Sequence, residues 1–160
     1  DKDGMSAALA IAEFAALAKA HGASLADLLD DLARECGLYL ASQLSIRVSN
    51  LDRIGEMMTT LRTPPPRALA NSPVVDVRDL AEGSLETTGL PPTNGMFLLA
   101  EDDSRVIVRP SGTEPKLKAY LEVVSPIATD ASFNDLSAAR ERAAEKLELM
   151  KKELSELLGA

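Results

Sequence analysis

A short segment between two stretches of alternating apolar and polar residues carries side chains suited to holding an anion. Residues 109–115 read Arg-Pro-Ser-Gly-Thr-Glu-Pro. Arg109 can present a planar guanidinium for two parallel charge-assisted hydrogen bonds, and the hydroxyls of Ser111 and Thr113 are further donors. Gly112 has no Cβ to keep a ligand off the backbone, so the amides of 111–113 are expected to converge on the anion. This chemistry suits a phosphate dianion.

Two lysines continue the positive charge into the next strand. Lys116 and Lys118 are two residues apart, so their side chains project to the same face of a strand. Their charge stands out because the chain as a whole has a formal net charge of -8. From the residues alone, a second interpretation stays open. In it, Ser-Gly-Thr is an ordinary turn, Arg109 is a solvated residue at the end of a strand, and the two lysines lie on an ordinary solvent-exposed strand face.

The composition limits the partners and the location of the protein. A net charge of -8 argues against nucleic acid and against anionic membranes, which repel an acidic surface. No apolar run approaches the roughly 20 residues that cross a bilayer. Cys36 is the only cysteine, so no internal disulfide forms, and its place in an apolar helical stripe predicts burial. We expect a cytoplasmic protein without nucleic-acid or membrane partners.

Apolar spacing predicts the elements that position the loop. Residues 5–20 form a helix that ends at Gly22, and a second helix begins after the cap Ser24 and ends at Gly37. From residue 38 the period changes to two, which predicts a long strand and a domain boundary.

The rest of the chain alternates between short strands, loops and helices. The predicted elements are a short helix over 52–61, a short strand around 74–77, an irregular connection over 82–94, a hairpin of 96–100 with 105–109, a strand over 117–123, and a long helix from 133 to 157. The predicted class is therefore α+β: a mostly antiparallel sheet of four to five strands covered by helices and preceded by two helices.

The loop also resembles a known family. Residues 109–118, Arg-Pro-Ser-Gly-Thr-Glu-Pro-Lys-Leu-Lys, are similar to the phosphate-binding loop in the last domain of the α-D-phosphohexomutases, which include phosphoglucomutases and phosphomannomutases. The similarity extends to 90–93, to 104–108 and to 119–122. Residues 1–8 resemble the turn and last helix of the family's third domain.

The resemblance implies a domain organisation and a function. Residues 1–37 would be the end of domain 3 with a connecting helix, and 38–160 would be domain 4, which resembles the TATA-binding-protein fold. Phosphohexomutases are isomerases of carbohydrate metabolism that interconvert sugar 1-phosphates and 6-phosphates by phosphoryl transfer with magnesium. The implied phosphate-binding residues are Arg109, Ser111, Gly112, Thr113, Lys116 and Lys118.

The family's phosphoserine, magnesium and sugar-recognition loops have no counterpart in this sequence. We therefore expect no catalytic residue and no metal site here, and no activity from this chain alone, because a phosphate clamp supplies neither a nucleophile nor a metal. The expected partners are a hexose phosphate and the upstream domains of a longer enzyme. Two alternatives stay open: a stand-alone sugar-phosphate-binding module, and an interaction domain that dimerises through its last helix.

Overall fold

The computed structural model describes residues 3–83, 86, 89 and 91–160. Part of the predicted connection over 82–94 lies outside the described residues, and so do Asp1, Lys2 and Leu90 from the segments that resemble the family. None of the helices in the described ranges is both long and apolar enough to cross a membrane.

The chain divides into two compact units. The first consists of Asp1–Leu38 and Ser125–Ala139, and the second of Tyr39–Val124 and Arg140–Ala160. The predicted domain boundary between residues 37 and 38 stays a prediction.

Two helices make up most of the first unit, α1 (Gly4–Ala20) and α2 (Leu25–Cys36). The carboxylate of Asp3 begins α1 by accepting the N–H of Ser6 at 3.0 Å. A capping box begins α2: the Ser24 hydroxyl accepts the Asp27 N–H at 3.3 Å, and the Asp27 carboxylate accepts the Ser24 N–H at 2.7 Å. Both predicted helices are confirmed.

Large apolar side chains on these helices are exposed. Met5 is 83% exposed, Leu9 73% and Leu29 61%. The prediction that Cys36 is buried is wrong, because α2 buries Asp30 and Ala33 instead and leaves its leucine and cysteine stripe accessible. An open cleft of about 360 Å³ lies on this unit. It is lined by Phe14, Leu28, Asp31, Leu32 and Glu35.

A six-stranded sheet lies almost wholly in the second unit. Its strands are β1 (Leu38–Arg47), β2 (Ala68–Leu69), β3 (Ser72–Asp79), β4 (Met96–Ala100), β5 (Arg105–Pro110) and β6 (Lys116–Ser125). Their order across the sheet is β1-β6-β5-β4-β3-β2. The pairs from β2 to β6 are antiparallel, so the predicted α+β class is confirmed.

The sheet has six strands where the sequence predicts four to five, because β2 has only two residues and is too short to show alternation. Ala70 and Asn71, with φ of 45° and 69°, turn the chain from β2 into β3. The predicted hairpin of β4 and β5 is confirmed, and its turn includes Asp103 with φ of 62°.

Helices α3 (Asp52–Arg62) and α4 (Phe133–Leu158) complete the described elements. In β4, β5 and β6, buried side chains alternate with accessible ones, and the buried set includes Leu98, Val106 and Leu121 at 0–1% exposure. Helix α3 packs on β4 and buries Met57 and Met58. The stripe of α4 in the second unit is also buried. Its members are Ala143, Leu147, Met150, Leu154 and Leu158.

A partly buried ion pair ties α3 to the sheet. Arg62 Nε donates to Asp79 Oδ2 at 2.7 Å, and its Nη2 donates to Asn94 Oδ1 at 2.9 Å. The hydrogen bond from Arg62 lowers the pKa of the Asp79 carboxyl, against the opposing effect of its desolvation. The ends of α3 and β3 are therefore joined to the segment that leads into β4.

Candidate phosphate-binding site

The loop between β5 and β6 is the tip of a regular antiparallel hairpin. Arg109 lies directly across from Lys118, and Pro110 from Leu117. The Ser111 N–H then donates to the Lys116 carbonyl at 2.8 Å, which closes the loop. The strands thus hold the base of the loop in a fixed register, and residues 112–115 at its tip are exposed.

The loop's backbone offers fewer free donors than the sequence suggests. Because the Ser111 amide is already bonded to the Lys116 carbonyl, it is not available to an anion in this conformation. The amides of Gly112 and Thr113 have no hydrogen-bond partner within the described part of the chain. Of the three amides predicted to converge, these two remain to bind an anion.

Gly112 leaves room for a ligand. A Cβ built on Gly112 would have no heavy atom within 4 Å, and the residue does not have a left-handed φ. The hydroxyls of Ser111, half-buried, and Thr113, exposed, make no hydrogen bond among the described residues. The tip therefore presents an open backbone with hydroxyl donors on both sides.

Glu114 changes the charge balance of the loop. Its Oε1 lies 2.8 Å from Lys116 Nζ, so Lys116 is paired inside the loop rather than free. The hydrogen bond from Lys116 is the largest cause of the lowered pKa of the Glu114 carboxyl, and the charges of Arg47 and Lys118 lower it further. An incoming anion therefore competes with a carboxylate for Lys116.

Lys118 and Arg109 carry the charge that has no carboxylate partner. Neither forms an ion pair with any described residue. The register places them opposite each other on the sheet face that does not hold the buried core. The Arg109 guanidinium carbon lies 5.7 Å from the centre of the Tyr120 ring, within the range of a cation–π contact.

Arg47 also lies near the loop, although it is distant from the loop in sequence and was not predicted to belong to the site. It ends β1, the strand next to β6, and the N–H of Val48 donates to the Pro115 carbonyl at 3.0 Å. Its side chain is exposed and close enough to Glu114 to lower the pKa of that carboxyl. The sequence pattern indicated only that Arg47 lies on the solvent-exposed face of a strand. This pattern does not show which residues of other strands lie nearby.

Gly95 lies beneath the base of Arg109. A Cβ built on Gly95 would come within 3.2 Å of the Val108 carbonyl oxygen and 3.4 Å of the Arg109 Cβ. A side chain here would therefore push on the strand that carries the guanidinium. The sequence pattern predicts that a hairpin begins next to this glycine, and it does not indicate a contact with Arg109.

The site has the features of an oxyanion-binding loop on a β-hairpin. Arginine, lysine, hydroxyl and free amide donors surround a tip with open space. Within the residues that the structure describes, no group of three or more His, Cys, Asp or Glu side chains is arranged to hold a metal ion. These donors are of the kind that can bind an anion.

Comparisons with known proteins agree with the resemblance inferred from the loop. Residues 69–147 match the family of the phosphoglucomutase/phosphomannomutase C-terminal domain. The chain therefore contains the C-terminal domain of the phosphoglucomutase/phosphomannomutase family, which confirms the predicted resemblance to the C-terminal part of these enzymes.

Relatives with these names match most of this chain. It is 40% identical over 131 residues to a "probable phosphomannomutase" of Haemophilus influenzae, covering 82% of this chain and 26% of that protein. It is 26% identical over 147 residues to a phosphoglucomutase of Staphylococcus aureus, covering 86% and 26% respectively. A crystal structure of the Paramecium phosphoglucomutase parafusin, in its open form, is similar with a TM-score of 0.47 and 14% identity over 86% of this chain and 24% of that chain. The chain thus spans about a quarter of the length of these relatives.

Proposed function

We propose that residues 109–118 bind the phosphate group of a hexose phosphate. The observation that carries this proposal is the concentration of cations around an open loop in a chain of net charge -8. Arg109 and Lys118 face each other across the hairpin, and Arg47 stands at the end of the neighbouring strand. None of these three side chains forms an ion pair within the described ranges. Their charge is therefore available to a ligand.

The donors have separate tasks in this proposal. The planar guanidinium of Arg109 forms two parallel hydrogen bonds to phosphate oxygens. The amides of Gly112 and Thr113 and the hydroxyls of Ser111 and Thr113 bond the remaining oxygens, while Lys118 contributes a less directional attraction. Lys116 takes part only if the phosphate displaces the carboxylate of Glu114, which lies 2.8 Å from Lys116 Nζ.

The whole protein is proposed to be a cytoplasmic phosphohexomutase that interconverts sugar 1-phosphates and 6-phosphates. The names of the relatives support this proposal, and the chain spans about a quarter of their length. The loop supplies orientation of the substrate, while phosphoryl transfer also needs a nucleophile and a metal to neutralise charge. We infer that both, with magnesium as the metal, belong to other parts of the longer protein and that this chain alone is inactive.

The exposed apolar side chains of α1 and α2 support the proposed domain organisation. A helix that belongs to a complete core buries its apolar stripe, yet Met5 and Leu9 are 83% and 73% exposed. We infer that residues 1–37 complete an upstream domain, which covers this face in the longer protein, and that 38–160 form the phosphate-binding domain. The upstream domains are then the protein partner of this chain.

Dimerisation through the last helix has less support. A coiled coil needs an apolar seam that is free to meet a partner. On α4, Ala143, Leu147 and Met150 are at most 3% exposed. A stand-alone sugar-phosphate-binding module would use the same loop, and it differs from the proposed mutase only in needing no upstream domains.

Isothermal titration calorimetry with glucose 1-phosphate tests the proposed binding. Arg109→Ala removes a charged hydrogen-bond donor, so we expect it to weaken binding by about 1.5–3 kcal/mol. Arg105→Ala is the matched control, because Arg105 lies on the same strand but is paired with Glu122 at 2.8 Å. The control protein should bind like the parent chain. Equal affinity of the Arg109→Ala and parent proteins would show that the loop does not bind phosphate.

A further inference from the structure

We propose that Tyr120 is a positioning residue that holds the Arg109 guanidinium ready for the phosphate. This inference rests on the proposed function of the loop and adds a residue outside it. Tyr120 lies in the middle of β6, two residues beyond Lys118, and its ring is half-buried. It acts on the ligand only through Arg109.

The strand register brings the two side chains together. Tyr120 pairs with Ile107, and Arg109 is the next residue of β5 on the same face, so the two are diagonal neighbours. The guanidinium carbon of Arg109 lies 5.7 Å from the centre of the Tyr120 ring. A cation over an aromatic face at this distance is attracted by the electron-rich face of the ring.

Two other arginines on the sheet have carboxylate partners. Arg105 is paired with Glu122 at 2.8 Å, and Arg78 with Asp76. Arg109 has no carboxylate partner among the described residues, so the ring is the contact that restrains its guanidinium. This difference matters because a carboxylate would occupy the N–H groups that a phosphate needs.

An aromatic face holds an arginine without using its hydrogen-bond donors. The N–H groups lie in the plane of the guanidinium, whereas the ring attracts the whole cation through its face. The strand pairing of Arg109 with Lys118 fixes the base of the side chain, and Gly95 places no Cβ against it. Arg109 is thus restrained at its base and at its head while its donors stay free, which lowers the entropy lost on binding.

Substitutions of Tyr120 distinguish the positioning of Arg109 by the aromatic ring from a simple effect of side-chain size. Tyr120→Phe keeps the aromatic face and should bind inorganic phosphate like the parent chain. Tyr120→Ile keeps an apolar side chain with high strand propensity but has no ring, and we expect its affinity to fall about two- to fivefold. A purely structural role for the hydroxyl or for side-chain bulk would not give this order. Thermal unfolding of each variant checks that it is folded.

The chain offers a matched control on the same face of the sheet. Arg78 lies over Phe97 with 5.3 Å between the guanidinium carbon and the ring centre. Phe97→Ile removes this second cation–π contact two strands from β6, and it should leave phosphate affinity unchanged. A loss equal to that of Tyr120→Ile would mean that any ring on this face matters, and it would overturn the specific role of Tyr120.

A double-mutant cycle distinguishes this inference from the proposed function. In the Arg109→Ala background, Tyr120→Ile should have no further effect, because the group that it positions is absent. If Arg109→Ala weakens binding but Tyr120→Ile does not, the positioning role is wrong and phosphate binding by the loop stands. If Arg109→Ala binds as the parent does, or if the parent binds no phosphate, both proposals fail.

A spectroscopic measurement needs no change at residue 120. Protons above an aromatic face are shielded, so the Nε–H proton of Arg109 should resonate upfield of the same proton of Arg47, which has neither a carboxylate partner nor a ring contact among the described residues. The two signals are assigned with Arg109→Lys and Arg47→Lys proteins. Equal shifts in the phosphate-free chain would contradict the contact between the ring and the guanidinium, even if the Tyr120→Ile protein did not fold.

Discussion

The helix pair α1 and α2 and the hairpin segment 109–118 both expose groups that are buried or paired in most of the chain. On the helix pair, the exposed groups are large apolar side chains, such as Met5 and Leu29. On the hairpin, they are free amides, hydroxyls and unpaired cations. The difference shows that exposure alone does not define a binding site. The chemistry of the exposed groups indicates what covers them.

The two regions also differ in what lies beneath them. The hairpin extends from strands whose inner side chains, including Val108 and Leu117, are at most 2% exposed. The helix pair buries few of its own apolar residues, with Ala18 and Ala33 among them. A rigid base suits a small charged ligand, which needs donors at fixed places, whereas an apolar surface suits a protein partner, which supplies the missing core.

The largest contrast is expected from removing one leucine of the sheet that supports the hairpin and one leucine of the helix pair. Leu98 is fully buried in β4, and Leu98→Ala should lower the free energy of unfolding by about 2–5 kcal/mol, because it leaves a cavity. Leu29, 61% exposed on α2, is the matched control, and Leu29→Ala should change stability by at most about 0.5 kcal/mol. Urea unfolding of both proteins measures the difference. Equal losses would mean that the helix pair has a core of its own.

A smaller contrast is expected between two ion pairs. Arg62→Ala breaks the pair with Asp79, whose side chains are 30% and 20% exposed, and should cost about 1–2 kcal/mol. The lowered pKa of Asp79 means that this contribution is present at neutral pH and is lost as the pH falls below the ordinary value of 3.8 and through the lowered value. The stability difference between parent and Arg62→Ala should therefore shrink in acid.

The helix pair supplies the control for that measurement. Asp31→Asn removes the pair with Arg34, in which the Asp31 side chain is 72% exposed. Exposed pairs of this kind contribute less than about 1 kcal/mol, so the stability should scarcely change. A pH-independent difference for Arg62→Ala in chemical unfolding would show that the Asp79 carboxyl is not held by Arg62.

The smallest expected effect concerns the charge within the loop. Glu114→Gln frees Lys116 and removes a negative charge beside the phosphate, so affinity for inorganic phosphate should rise roughly two- to fivefold at low salt. Glu101→Gln, in the exposed turn of the other hairpin, is the control and should leave the affinity unchanged. Weaker binding by the Glu114→Gln protein would mean that the carboxylate supports the loop's binding conformation instead of competing with the ligand.

Local patterns predicted much of the fold because they depend on neighbours in sequence. The change of period at residue 38, the cap at Ser24 and the turn of the β4–β5 hairpin each follow from residues a few positions apart. Strand β2 was missed because its two residues carry no period. The exposure of Cys36 was missed because a helical stripe indicates which side is apolar, and not whether anything covers it.

The candidate site was also predictable only where it depends on residues that are close in sequence. The hairpin loop and its lysines are contiguous in sequence, so their proximity follows from the strands. Arg47 approaches the loop only because β1 lies next to β6, a pairing between distant parts of the chain. The Glu114–Lys116 pair and the engaged Ser111 amide depend on the loop's conformation, which the residue types do not determine.

Nuclear magnetic resonance titration of the ¹⁵N-labelled chain with inorganic phosphate tests the central claim most directly. The amide signals of Gly112 and Thr113 and the side-chain signal of Arg109 should shift together along one saturating curve. The amide signals of α1 and α2 should not shift along this curve, because the exposed surface of the helix pair is mainly apolar. Shifts that are absent from 109–118, or spread evenly over the chain, would contradict phosphate binding by the hairpin loop.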